Sequence, residues 1–313
     1  MRKYALWSLI VVSLLANIIL AYFAFIKNDL DDANTFIKKY PLVSKRLALE
    51  DHNDVIVNFD PLRKQVQDYL KRLGVEHSFY FEYLPSGVNV RDGEGNQFVG
   101  ASLLKVPLVM DLYRASELGL LGLDDKITLP ANINQNDKEF GNTRNLQPGS
   151  QITLREAVQI TLEESDNTTA ILIRQKIDEV YKGDSIAFRD LDLDITTKSQ
   201  DGMPIQLIGS KSYSSILKCL YLACALTPEN SQEILDFLSK STTLKRVESG
   251  VPTGLIVANK IGAFSEQVQS DCAIVYQPNR PYMLCMMFIP GNKNIEHAFK
   301  DLSSMVYNYV VNH

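Results

Sequence analysis

The spacing of apolar and polar positions changes character several times along this chain. "MRK" gives way to an uncharged run from Tyr4 to Ile26, long enough to cross a hydrocarbon core as one helix. Residues 28–58 carry mixed charge with weak periodicity and read as a spacer with room for one short helix. From Asp60, "DPLRKQVQDYLKRLG" sets Leu62, Val66, Tyr69 and Leu73 at helical spacing between a capping aspartate and a closing Gly74. "HSFYFEYL" and "GVNVRDG" then alternate with period two, and the "PSG" between them predicts a hairpin. From Leu103 to about Leu244 the period is mainly helical, through "LLKVPLVMDLYRASELGLL", "TLREAVQITLEES", "NTTAILIRQKIDEVY", "SYSSILKCLYLACAL" and "NSQEILDFLSKS". Strands return in "GLIVANKIGAF", "DCAIVYQ" and "YMLCMMFI". A last helix follows, with Ile295, Phe299, Leu302, Val306 and Tyr309 on one stripe. This order predicts an α/β (α+β) fold in which one sheet is built from both chain ends, flanked by helices, with an all-helical region inserted between its halves.

Composition narrows the function more than the fold. The 313 residues are 45% hydrophobic and 22% charged, as in an ordinary globular protein, and the net charge of −5 is interspersed. No basic stripe or recognition motif exists for a nucleic acid backbone, which excludes that partner class. In the apolar run, bulky Tyr22, Phe23 and Phe25 surround Ala21 and Ala24, so an uncleaved anchor over residues 1–27 is favoured over a signal peptide. Arg2 and Lys3 on one flank, against Asp29, Asp31 and Asp32 on the other, orient the N-terminus toward the cytoplasm. The expected organisation is an anchor in the cytoplasmic membrane (1–27), a juxtamembrane spacer (28–58) and an extracytoplasmic body (59–313). Cys219, Cys224, Cys272 and Cys285 show no CxxC and no histidines at zinc spacing, so no structural metal is expected. In an exported protein they either pair, with Cys272 and Cys285 on two apparent strands, or stay as four buried thiols.

Three short motifs carry the candidate chemistry. Ser102-Leu-Leu-Lys105 opens an apolar helix, and residues three apart share a helix face, so the lysine can approach the serine hydroxyl. An amine that loses its proton on desolvation can then serve as the base for a serine nucleophile. Ser165-Asp166-Asn167 lies between two helical stretches, where such residues also serve as caps. Lys260-Ile261-Gly262 lies on an apparent strand, where a glycine permits close approach of another backbone. Each is weak by itself; their order and settings together are specific.

Over about residues 60–313, including "LGLLGLDDKITL" and "LQPGSQITLREAVQITLEESDNTTA", the chain resembles the penicillin-recognising serine hydrolases, in particular the class A β-lactamase-like group. The resemblance implies a β-lactamase/transpeptidase-like fold with an antiparallel sheet, acyl transfer without a cofactor, and a β-lactam or peptidoglycan-like peptide as substrate. It implies Ser102 as nucleophile, Lys105 as proton acceptor and Ser165 as the relay to the leaving nitrogen. Asn167 would bind the acylamide side chain, and Lys260 would supply positive potential for the substrate carboxylate. The amides of Ser102 and Ala263 would form the oxyanion hole, and the strand through Gly262 would pair with the substrate backbone.

Two departures bear on turnover. Ile261 stands where the family carries a hydroxyl residue that helps to bind the substrate carboxylate. The segment "RDLDLDITTKSQDGMPIQLIGSKSY" holds no glutamate to activate the deacylating water. Asp201 falls near the expected position, although its place in "SQDGMP" also suits a turn former. Acylation is therefore better supported than release. A catalytically silent peptide-binding domain and a D-alanyl-D-alanine carboxypeptidase are the alternatives.

Overall fold

The computed structural model describes residues 32–48, 57–131, 146–181, 195–200, 203–264 and 267–313, with a few positions elsewhere, chiefly 11–17. Helix α1 (Asp60–Leu73) begins with the Asn58 side chain accepting the Asp60 amide at 3.0 Å and ends on Gly74 at φ +60°. The left-handed closing turn, which a glycine adopts without a Cβ penalty, sends the Gly74 amide back to the Leu70 carbonyl. Strands β1 (Glu76–Tyr83) and β2 (Val88–Asp92) form the expected hairpin. Next, β3 (Phe98–Val99) leads into a 3-10 turn (Ala101–Leu104) and α2 (Lys105–Glu117). Strands β4 (Lys126–Thr128) and β5 (Gln151–Thr153) pair, and α3 (Leu154–Glu163) starts from a reciprocal Thr153–Glu156 capping box. After α4 (Asn167–Val180) come the paired strands β6 (Ile195–Gln200) and β7 (Met203–Ile208), then α5 (Ser210–Tyr221) and α6 (Pro228–Ser239). Strands β8 (Val257–Phe264), β9 (Val268–Val275) and β10 (Tyr282–Ile289) and helix α7 (Glu296–Asn312) complete the chain.

The main sheet runs β2-β1-β10-β9-β8 with every neighbour antiparallel, so both chain ends contribute and β8 is an edge. Strand β10 shows why the sheet holds two layers together. Tyr282, Leu284, Met286 and Phe288 join α1 and α7 residues such as Val66 and Leu302, whereas Met283, Cys285 and Met287 join Val109 and Ile216 of the helical side. Apolar residues on both faces mark a strand buried on both faces.

The region between the two halves of the sheet is mainly helical, but it is not all helix. β4 pairs with β5, and β3-β7-β6 form a second small sheet. In "ITTKSQ" and "MPIQLI" β-branched residues suit a pleated surface, and the runs are too short to show a period against their polar neighbours. The expected spacer likewise does more than connect: a helix over 32–39 is followed by buried Tyr40, Leu42 and Val43, which join the helical-side core. Of the two readings of the cysteines, pairing is what the structure shows, as Cys219–Cys224 and Cys272–Cys285, the latter directly opposed across β9 and β10. Most of Tyr4–Ile26 lies outside the described residues, and among those described no helix is long and apolar enough to cross a membrane.

Candidate active site

Ser102 sits in the 3-10 turn that runs directly into α2, one turn earlier than a simple helix start. Neither the turn nor the helix is capped by a side chain, so the Ser102 hydroxyl is not spent as a cap. The turn is entered through Ala101 at φ +46°, a left-handed backbone that costs a residue with a Cβ about 1–3 kcal/mol and concentrates at functional sites. Lys105, the first residue of α2, is almost completely buried and lays its amine back toward the serine: Nζ lies 3.2 Å from Ser102 Oγ.

The second motif meets the first at this amine. Asp166 caps α4 by accepting from the Thr169 amide at 2.8 Å, which makes the cap reading correct for this residue. That cap frees its neighbours to turn the other way. Ser165, at φ +59°, offers its carbonyl to Lys105 Nζ, with its Oγ 3.4 Å away, and Asn167 Oδ1 accepts from Lys105 at 2.6 Å. Asn167 is exposed at the start of α4, where a ligand can reach it.

The third motif closes the cluster from the sheet. Lys260 on β8 has no solvent exposure, and its Nζ donates to Ser165 Oγ at 2.7 Å. Burial, and then the neighbouring Lys105 charge, push the Lys260 pKa well below its ordinary value, against an opposing pull from Asp271. Two residues on, a Cβ at Gly262 would stand 2.6 Å from Ser270 Oγ, 3.0 Å from Leu103 Cγ and 3.2 Å from the Gly100 carbonyl oxygen. Only a glycine lets the edge strand lie this close to the serine turn, with Ala263 following it on β8. Ile261 between them is buried and brings no hydroxyl.

Ser102, Lys105, Ser165, Asn167, Lys260, Gly262 and Ala263, drawn from three distant segments, therefore converge. Asp201 lies outside the described residues, between Gln200 and Met203, which pair across β6 and β7.

The motifs did not reveal what stands behind β8. Asp271 on β9 is fully buried, accepts the Val247 amide at 2.8 Å and the Asn259 side chain at 3.1 Å, and its pKa is pushed up by burial to about 6. Arg246, also buried, donates to the Ser270 carbonyl at 3.2 Å, pairs with Glu296 at 2.7 Å and lies over the Phe299 ring. Its Ser270 partner is the residue opposite Gly262, so the network braces the edge strand. A charged residue within the apolar run "DCAIVYQ" was the available signal, because such a position is seldom buried without partners.

Comparisons with known proteins bear on the family and the fold. The family model described as the β-lactamase enzyme family matches residues 61–310. Among curated proteins, β-lactamase 3 of Bacillus cereus is 25% identical over 156 residues, a match spanning 47% of this chain and only 49% of that enzyme. Among solved structures, a leucine-to-glutamate mutant of PBP-A in an acyl-enzyme complex with penicillin G superposes with a TM-score of 0.70 at 23% identity, over 81% of this chain and 97% of its own. A β-lactamase from Sphaerobacter thermophilus gives 0.71 at 21% identity, over 82% and 99%. With the family match covering the body from α1 into α7 and the three motifs converging at one point of the fold these relatives share, this chain belongs to the β-lactamase enzyme family.

Proposed function

We propose that this protein is an extracytoplasmic serine hydrolase, acylated at Ser102 by β-lactams or by peptidoglycan-like peptides. The observation that carries the reading is the continuous Ser102–Lys105–Ser165–Lys260 chain, with contacts of 3.2, 3.4 and 2.7 Å. A lysine amine bears no acceptor while it is an ammonium, so the nucleophile's proton needs a neutral amine to go to. Burial, and then the neighbouring Lys105 charge, depress the Lys260 pKa, so the pair disfavours two charges, and the proton it keeps can rest on Lys260 while Lys105 is neutral. With Lys105 neutral, Ser102 Oγ attacks the amide carbonyl as its proton passes to Lys105 Nζ. The C–N bond then breaks as Ser165 hands a proton to the leaving nitrogen, replenished from Lys105. The Ser102 and Ala263 amides hold the oxyanion, each such donor contributing about 3 kcal/mol to the transition state. Lys260 and Asn167 orient the substrate's carboxylate and acylamide.

A second reading, an enzyme that keeps its acyl group or a silent peptide-binding domain, is favoured by Ile261 and by the absence of a glutamate from Arg189 to Tyr213. Intact-mass measurement of the full chain with labelled penicillin separates these. The expected result is an adduct that disappears in Ser102→Ala; no adduct in the parent chain rules out the enzymatic readings. Release of hydrolysed product identifies a lactamase, and a persistent adduct a penicillin-binding enzyme. If Asp201 positions the deacylating water, Asp201→Asn prolongs the adduct; an unchanged decay leaves Asp201 a turn residue.

The location follows from the sequence: an anchor over residues 1–27 holds the body outside the cytoplasmic membrane. N-terminal sequencing of the membrane fraction tests it, since a mature chain starting beyond residue 20 contradicts the anchor.

A further inference from the structure

Residues 41–46 run across the end of the main sheet where β1 finishes, β9 turns into β10 and β8 begins, and there they enclose a cavity of about 640 Å³. It is remote from Ser102. Ile256 in its wall and Gly262 beside the serine turn are six residues apart along the β8 region, about 20 Å of extended chain. The strap is tied down by the Tyr276 hydroxyl donating to the Leu42 carbonyl at 2.9 Å and by the Ser44 amide donating to the Tyr221 carbonyl at 2.7 Å.

The chemistry of the walls is uneven. Among the described residues, the charged side chains lining the cavity are cationic, namely Lys45, Arg46 and Arg280, in a chain whose net charge is −5. The rings of Tyr221 and Tyr276 supply flat apolar surface beside them. Arg280 donates to the Val310 carbonyl at 2.6 Å, and a guanidinium with five donors is not exhausted by one bond. Forked guanidinium donors match phosphate oxygens, and the volume is that of a small-molecule site.

We propose that this cavity is a second binding site, which takes a phosphate ester whose anionic group meets Lys45, Arg46 and Arg280 while its organic body lies on the tyrosines. A glycerophospholipid headgroup and a soluble phosphate ester share this chemistry. The site does not depend on Ser102 or on any acylation step.

The test uses the full chain in a neutral detergent, with short-chain phosphatidylglycerol and glycerol 3-phosphate as probes and tyrosine fluorescence and thermal midpoint as readouts. At least one probe should bind saturably and raise the midpoint, and Arg280→Gln should weaken that binding about tenfold. Preference for phosphatidylglycerol identifies the lipid headgroup as the source, and equal or better binding of glycerol 3-phosphate identifies a soluble ester. Arg280→Gln loses the bond to Val310, so Lys45→Glu on the exposed rim is the second variant, with circular dichroism reporting its fold; it too should weaken binding about tenfold. No saturable binding of either probe, or binding that the folded variants leave unchanged, overturns the proposal.

Discussion

Lys260 and Asp271 stand on neighbouring strands of one sheet, both wholly buried, and their surroundings differ in kind. On the helical side, Lys260 shares the single hydroxyl of Ser165 with a second lysine, so positive charge is gathered. Behind the strand, Asp271 accepts a backbone amide and the Asn259 side chain, with the charges of Arg246 and Lys260 within range. Burial works against the charged form in both, pushing the lysine down and the aspartate up. The difference lies in what compensates. Donors converge on Asp271 and fix the edge strand, whereas the two lysine amines meet on one hydroxyl, the arrangement on which the proposed proton transfer rests. Burial of a charge alone therefore does not mark a candidate catalytic group; two like charges meeting on one hydroxyl beside a candidate nucleophile do.

The sharpest way to break this comparison is to remove the amine nearest the serine. Lys105→Gln should slow penicillin acylation by about 10²–10⁴-fold, the usual span for a lost general base, while the fold persists. A mass time course measures it. In the parent chain the rate should rise with pH as the lysine pair sheds its proton, because Lys260 loses its own below the ordinary lysine range. If Asp271→Asn slows acylation as much as Lys105→Gln does, the distinction between a reactive front and a bracing back is wrong.

Gly262→Ala tests the mechanical link between the two sides. The added Cβ meets Ser270 Oγ, Leu103 and the Gly100 carbonyl, so either the edge strand or the serine turn must move. A shift near 1 Å at the reacting atoms costs about 10²-fold in rate, and the crowding should cost about 1–3 kcal/mol of stability. Denaturant unfolding beside the acylation assay separates these effects. An unaltered acylation rate shows that the close approach of β8 to residues 100–103 is dispensable.

The front of the site was legible in the sequence because each motif is local. Ser102 and Lys105 lie three apart in one helical run, and Ser165 to Asn167 fall between two helical periods. Two hairpins of the sheet were legible for the same reason: β1 and β2, and β9 and β10, are joined by short turns. The brace behind β8 was not, since it depends on register. Asp271 reaches Asn259 only because β8 and β9 pair Lys260 with Cys272, and Val247 arrives from a segment outside the sheet. The left-handed turns at Ala101 and Ser165 were hidden too, because neither residue type prefers that backbone. Strands β6 and β7 escaped notice in a stretch whose polar residues resemble a loop, and the burial of Tyr40, Leu42 and Val43 depends on a surface supplied by distant α5 and α6.

Asp271→Asn should have the smallest effect on acylation and the clearest effect on how stability depends on pH. Its pKa is about 6 in the folded chain against an ordinary 3.8, so between these values the unfolded chain has already lost the proton that the folded chain keeps. Fewer protons on the unfolded state mean that stability falls as pH rises through this window. The shift amounts to about 3 kcal/mol at 1.36 kcal/mol per unit, absent below pH 3.8 and complete above about pH 6. Asparagine keeps one acceptor for Val247 or Asn259 and removes the titration, so the variant lacks this decline. Denaturant unfolding of both chains at pH 4 and pH 7 should show the variant gaining on the parent as pH rises, while acylation at pH 7 changes less than about tenfold. A stability difference that is the same at both pH values means Asp271 is ionised throughout in the folded chain. The compensation behind β8 would then be complete, and the contrast with the lysine pair greater still.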